Sequence, residues 1–193
     1  MRINSLSLEN YRNIIRCDLT PGEGVNLIVG DNAQGKTNLM EAIWLLTGEK
    51  TFRYGREHDI PRLDMDRETQ RTRVYANVFA EGRDQELEYI LWPRRQVKIN
   101  GITEPGRGAF SGKLCCVFFS PNHLSLVRDG PAERRDFLDG AISQLRPQYI
   151  KVLGDYNRAL AQRSTLLREA FRDRGRLDLL PVFDYHVARL GSL

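Results

Sequence analysis

Gly30 to Thr37 reads G-D-N-A-Q-G-K-T, and residues of these types at this spacing suit the holding of a polyphosphate. The run fits G-x-x-x-x-G-K-[ST]. Gly30 and Gly35 allow turns that a Cβ would obstruct, so successive backbone N–H groups can face an anion. Lys36 can reach the β- and γ-phosphates of a nucleotide, and Thr37 can offer its hydroxyl to Mg²⁺. Strand, glycine-bounded loop and helix N-terminus together make an anion cradle. Val25-Asn26-Leu27-Ile28-Val29 is a short apolar stretch rich in β-branched residues and predicts a buried strand. Leu39, Ala42, Ile43 and Leu46 recur at helical spacing and predict a helix beginning near Gly35, whose N-terminus adds partial positive charge. Gly30, Asp31, Asn32, Ala33, Gln34, Gly35, Lys36 and Thr37 are therefore candidate nucleotide-binding residues. The expected ligands are a nucleoside triphosphate and Mg²⁺; the N-K-x-D motif by which small GTPases read guanine does not occur.

Asn32 and the continuation Asn38-Leu39-Met40-Glu41-Ala42-Ile43 resemble G-x-N-G-x-G-K-[ST]-N-L-L-E-A-I. That is the pattern of the SMC, Rad50 and RecF group of chromosome-maintenance ATPases, and it adds Asn38 to the candidate set. Leu6-Ser7-Leu8-Glu9-Asn10-Tyr11-Arg12-Asn13 is similar to the group's first strand and N-F-R-N turn. The run from Asp129 to Asp139 resembles the G-x-P-x-x-R-R-x-F-L-D of RecF. From these motifs the resemblance implies an α/β P-loop NTPase fold. It would comprise an ABC-type ATPase head over residues 1–128, a mixed sheet with an antiparallel β-subdomain, and an incomplete α-helical arm over 129–193. It also implies basic residues near the nucleotide, for which Arg12 and Arg53 are the matching positions; a solvated surface role is the alternative for each. Ser120-Pro121-Asn122-His123-Leu124 is similar to F-x-P-E-D-L, the loop that senses Mg²⁺ and the γ-phosphate. Asn122 and His123 replace the usual acidic pair there. Asn122 is the candidate to orient a metal-bound water, whereas a neutral His123 is a poor Mg²⁺ ligand.

Composition limits the remaining choices. The chain has 193 residues, enough for one sizeable core, with 41% hydrophobic and 28% charged residues. No apolar run approaches membrane-spanning length, and Met1-Arg2-Ile3-Asn4 is not a signal peptide, so a cytoplasmic location without membrane contact is expected. Cys17, Cys115 and Cys116 lack metal or redox spacing and are expected as buried reduced thiols. Net charge is +4 with a pI near 9.1, a balance that permits DNA without requiring it.

In chain order, Arg2 to Leu8 and Ile14 to Leu19 read as paired strands. The P-loop helix should stop near Thr47-Gly48. Arg56 to Arg71 reads as a loop or frayed helix. Arg73 to Ala80, Glu86 to Trp92 and Gln96 to Asn100 predict an antiparallel meander, with Asn100-Gly101 as a further turn. Leu114 to Phe119 is a continuous apolar run, expected as a central strand buried on both faces. A helix opens at Pro131 with Phe137, Leu138, Ala141, Ile142 and Leu145 as its apolar stripe. On it, Arg134 and Arg135 either bind phosphate or pair with Glu133 and Asp139. A second helix over Pro147 to about Arg172 carries a seam at Tyr149, Leu153, Tyr156, Leu160, Leu167 and Ala170, interrupted at Arg163. A third is expected near Leu179 to Leu190, with Phe183, Val187 and Leu190 needing partners.

No apolar strand ends in the Asp-Glu pair that ATPases of this class use to hold Mg²⁺ and polarise water, and no L-S-x-G-Q signature opens a helix. By resemblance the chain is the N-terminal half of a RecF-like protein, with little hydrolysis expected from it alone. The family implies ATP-dependent homodimerisation on DNA, whether single-stranded, gapped or linear double-stranded. It also implies RecO and RecR as partners, in recombinational repair and the SOS response. A P-loop small-molecule kinase, its arginines clamping a phosphorylated substrate, is the alternative.

Overall fold

A computed structural model describes residues 1–52, 57–120, 130–170 and 174–192. Its centre is a six-stranded antiparallel sheet in the order β2-β1-β3-β4-β5-β6. The strands are β1 (Arg2–Tyr11), β2 (Ile14–Leu19), β3 (Thr72–Ala80), β4 (Arg83–Trp92), β5 (Gln96–Ile99) and β6 (Ile102–Glu104). Register follows the alternation of the sequence. Leu6 lies opposite Ala76 and Leu8 opposite Val74, then Ala76 opposite Leu87 and Val74 opposite Tyr89. All six face one core, while Ser7, Glu9, Arg73, Tyr75 and Glu88 take the other face. The β3–β4 turn uses Glu81 and Gly82, and the β5–β6 turn uses Asn100 and Gly101, all at positive φ as two-residue hairpins require. The expected meander and its last turn are thus present.

Helix α1 (Lys36–Leu45) lies on the core face and buries Leu39, Ala42 and Leu45, with Leu46 just beyond. Gly48 follows at φ +90, and a Cβ there would stand 2.8 Å from the Arg107 carbonyl oxygen. Only glycine fits that left-handed, crowded site, which accounts for the stop expected at this point. Phe110 and Leu114 close the core from the far side.

Two expected strands differ. Residues 25–29 and 115–120 enter no ladder among the described residues. Val25 is 96% exposed and Val117 is 99% exposed. Residues 114–120 still alternate: Leu114, Cys116 and Phe118 turn inward, while Cys115, Val117 and Phe119 stand in solvent. Cys115 is thus not the buried thiol expected. An apolar run becomes a strand buried on both faces only when strands flank it, and among the described residues no strand pairs with either segment.

The helical portion comprises α2 (Pro131–Leu145), α3 (Pro147–Ala170) and α4 (Leu180–Gly191), close to the expected limits. Helix α2 presents the opposite face from the one expected. Phe137, Leu138, Ile142 and Leu145 are exposed, whereas Ser143 and Gln144 are buried. Gln144 is drawn inward by hydrogen bonding, since its Oε1 accepts from the Cys116 N–H at 2.8 Å. Ser143 offers its carbonyl to the Ser111 hydroxyl. In α3 the covered positions include Tyr149, Val152, Leu153, Tyr156, Ala159, Arg163, Leu166 and Ala170, while Leu160 and Leu167 are exposed. Of the expected seam, Tyr149, Leu153, Tyr156 and Ala170 are covered, Ala159 and Leu166 take the places expected of Leu160 and Leu167, and Arg163 sits at the expected interruption. Arg163 completes the seam through an ion pair with Asp184 of α4. Phe183, Val187 and Leu190 find their cover in this α3–α4 pair.

Candidate nucleotide-binding site

The loop between residues 30 and 37 has the shape its glycines predict. Gly30 lies at φ +152, Ala33 at φ +66 and Gly35 at φ +101. Gly35 is the N-cap of α1, and no side chain caps that end. The first-turn N–H groups of a helix have no intrahelical acceptors, so an uncapped N-terminus beside a glycine loop presents donors and positive dipole to an anion. Lys36 Nζ donates to the carbonyl oxygens of Gly30 and Asp31, each at 2.7 Å. It thereby spans the loop from within. Thr37 and residues 30–34 are exposed. Nothing lies within 4 Å of a Cβ built on Gly30, so the entrance is open. These residues fit a polyphosphate with a bound Mg²⁺: the ammonium would neutralise phosphate charge and the Thr37 hydroxyl would offer the metal an oxygen.

The β1–β2 turn braces this loop. Asn13 Nδ2 donates to the Ala33 carbonyl at 2.9 Å, and its Oδ1 accepts from Asn38 Nδ2 at 2.7 Å. Glycine is favoured at position 35 by its φ of +101, and a Cβ there would also fall 2.9 Å from that same Oδ1 and displace the Asn13 amide. Arg12 does not stand free. Its Nε and Nη2 donate to Glu41 at 3.0 and 2.8 Å, and its Nη1 donates to the Asp59 carbonyl at 3.1 Å. Burial raises the pKa of Glu41, but hydrogen bonds from Arg12, Thr51 and Tyr11 outweigh it and hold the carboxyl below its ordinary value.

The structure therefore gathers Gly30 to Asn38 and the turn bearing Arg12 into one place. Arg53, Asn122 and His123 lie outside the described residues. Asn13, Glu41 and Thr51 were not singled out from the sequence. A glutamate within the apolar face of the P-loop helix, and a second asparagine in the turn, were the available signals. Arg134 and Arg135 form no ion pair with Glu133 or Asp139 among the described residues, and Asp139 instead accepts from the Tyr149 hydroxyl at 2.6 Å.

A family model described as AAA ATPase domain matches residues 1–102. The chain belongs to the AAA ATPase domain family. It is also similar from end to end to proteins named DNA replication and repair protein RecF. That of Acetivibrio thermocellus is 36% identical over 193 residues, covering 100% of this chain and 52% of the relative. That of Pelotomaculum thermopropionicum is 36% identical, with 100% and 51% covered. The solved structure of the recombination mediator protein RecF-ATP in the RecFOR pathway matches with a TM-score of 0.87 and 32% identity. It covers 98% of this chain and 50% of that one. The corresponding RecF-ATPrS structure matches with a TM-score of 0.89 at the same identity. The RecF resemblance and the α/β P-loop ATPase fold drawn from the motifs are borne out. The chain spans about half the length of the curated relatives it matches. Among the described residues no helix is long and apolar enough to cross a membrane.

Proposed function

We propose that this chain is the nucleotide-binding part of a RecF-type DNA replication and repair ATPase. One observation carries the reading: a glycine loop at an uncapped helix N-terminus, spanned by Lys36, in a chain alike throughout to a protein solved with ATP. Gly30 to Asn38 bind the phosphates, and Thr37 takes Mg²⁺. Residues 1–128 act as the head and 129–193 as the start of the helical arm. Arg53 and Asn122 complete the site, as nucleotide contact and as metal-water ligand. The whole assembly binds single-stranded, gapped or linear double-stranded DNA as an ATP-dependent dimer, and works with RecO and RecR in recombinational repair and the SOS response in the cytoplasm. Hydrolysis by this chain alone is slight, because the loop supplies ground-state binding and not a positioned water.

The test is calorimetric titration of Mg·ATP into the wild-type chain and Lys36→Ala. Loss of a charge-assisted contact weakens binding by at least ~1.5 kcal/mol, about tenfold, with the fold intact by circular dichroism. Equal affinities would overturn the site. DNA binding measured with and without ATP at several salt concentrations tests the DNA part of the reading. A salt-dependent, ATP-strengthened affinity is expected, and a kinase would show none.

A further inference from the structure

Glu41 sits on the second turn of α1, fully buried, and never reaches the loop mouth. Two segments outside its helix converge on it. Arg12 approaches from the β1–β2 turn with both prongs of its guanidinium, and Thr51 donates its hydroxyl from the stretch after α1. Arg12 has φ +55, the left-handed conformation that the two-residue β1–β2 turn asks of it. The residue after Arg12 is Asn13, whose amide holds the Ala33 carbonyl and accepts from Asn38. Ala33 is left-handed as well, at φ +66. A continuous path therefore runs from a buried carboxylate through a constrained turn to a constrained residue of the phosphate loop.

A buried ion pair contributes little net stability that a well-packed apolar pair would not match, because both charges must shed water. What it supplies instead is direction: a two-pronged guanidinium–carboxylate contact fixes the orientation of both partners. We infer that Glu41 is a positioning residue of the nucleotide site, setting Asn13 against Ala33 and Asn38 through Arg12 and so holding the loop in its phosphate-binding shape. This rests on the nucleotide reading above and adds to it a residue outside the binding motif's own contacts.

The experiment is a double-mutant cycle on the 193-residue chain with Glu41→Gln, Asn13→Ala and their combination. Mg·ATP affinity is measured by calorimetry well below each unfolding midpoint, and the midpoints are recorded alongside. Each single variant should weaken ATP by about tenfold, and the double variant should lose less than about threefold more, because both break one path. Asn13→Ala, at an exposed side chain, should do so with little change in midpoint. Should Glu41→Gln fail to fold, Arg12→Lys takes its place in the cycle, keeping the charge while losing the two-pronged contact. A folded Glu41→Gln with wild-type affinity, or losses that simply add, would overturn the positioning role. Wild-type chain that binds no better than Lys36→Ala would instead overturn the nucleotide reading, and this role with it.

Discussion

Strand β1 and the segment 25–29 carry the same kind of residue and end in opposite surroundings. Leu6 and Leu8 of β1 are sealed between the sheet and α1, with β2 hydrogen-bonded on one side and β3 on the other. Val25, Leu27 and Val29 stand in solvent although they lead directly into the phosphate loop, and Val117 and Phe119 do the same further along. Full burial of one such side chain is worth about 1.5–3 kcal/mol, so the two segments leave a substantial favourable term unrealised. The difference lies in where partners come from. Antiparallel strands are recruited by short turns from nearby sequence, as β3 to β6 are, whereas a strand buried on both faces needs flanking neighbours that no hairpin brings. Apolar composition records that a segment suits burial; it does not record what covers it.

The sharpest way to break this comparison is to remove a side chain from each region. Leu8→Ala should lower the unfolding free energy by about 2–5 kcal/mol, through lost transfer energy and the cavity left behind. Leu27→Ala should stay within about 0.5 kcal/mol, as exposed substitutions do. Urea unfolding followed by circular dichroism checks both. Comparable losses would mean that residues 25–29 are covered in solution and that the contrast with β1 does not hold.

The same distinction explains what could be read from the sequence. Strand limits, hairpin turns and helix starts follow from local chemistry. Pro131 opens α2, Gly48 stops the chain after α1, and Asn100-Gly101 turns the last hairpin, each because of its own backbone preference. The phosphate loop was legible for that reason too. Facing was less so. The stripe on α2 is apolar, yet Ser143 and Gln144 go inward because the Ser111 hydroxyl and the Cys116 N–H lie there to bond them. In the α3 seam Ala159 and Leu166 replace Leu160 and Leu167, and Arg163, an interruption by its charge, is made a member only by Asp184 on another helix. The Arg12–Glu41 and Asn13–Ala33 contacts join residues 29 and 20 positions apart, and no spacing rule connects them.

Cys115 and Cys116 offer a finer probe, since adjacent thiols in residues 114–120 face opposite ways. Cys115 is exposed, though burial raises its thiol as well, while deeper burial pushes the Cys116 thiol up to about 11. At pH 8.5 a thiol of that pKa is on the order of 0.3% thiolate, and the thiolate is the reactive form. Iodoacetamide at that pH should therefore label Cys115 at least about tenfold faster than Cys116, read by peptide mass spectrometry. Raising the pH towards 11 should narrow the gap. Equal rates at pH 8.5 would mean that this segment does not hold one face against the core.

The helical portion supplies the mildest contrast, because there the partner lies within the chain but the contact is half wet. Arg163 takes a seam position between Ala159 and Leu166 and reaches Asp184, with the arginine side chain 34% exposed and the aspartate 48%. An ion pair at that exposure gains a modest Coulomb attraction, gives up side-chain entropy and is screened by salt, so it contributes about 0–1 kcal/mol. Its aliphatic stem still packs along the seam, as long cationic side chains do beside apolar neighbours. Arg163→Ala should consequently cost less than about 1 kcal/mol, and Arg163→Met, which keeps the stem and drops the charge, should cost less again. Raising salt should weaken the wild-type chain slightly and leave Arg163→Met unaffected by that contact. Urea unfolding of the three proteins at low and high salt makes the comparison. A cost for Arg163→Met approaching that of Leu8→Ala would show that charge rather than packing directs how α4 seats on α3, and that the helical pair depends on this polar contact as the sheet depends on its core.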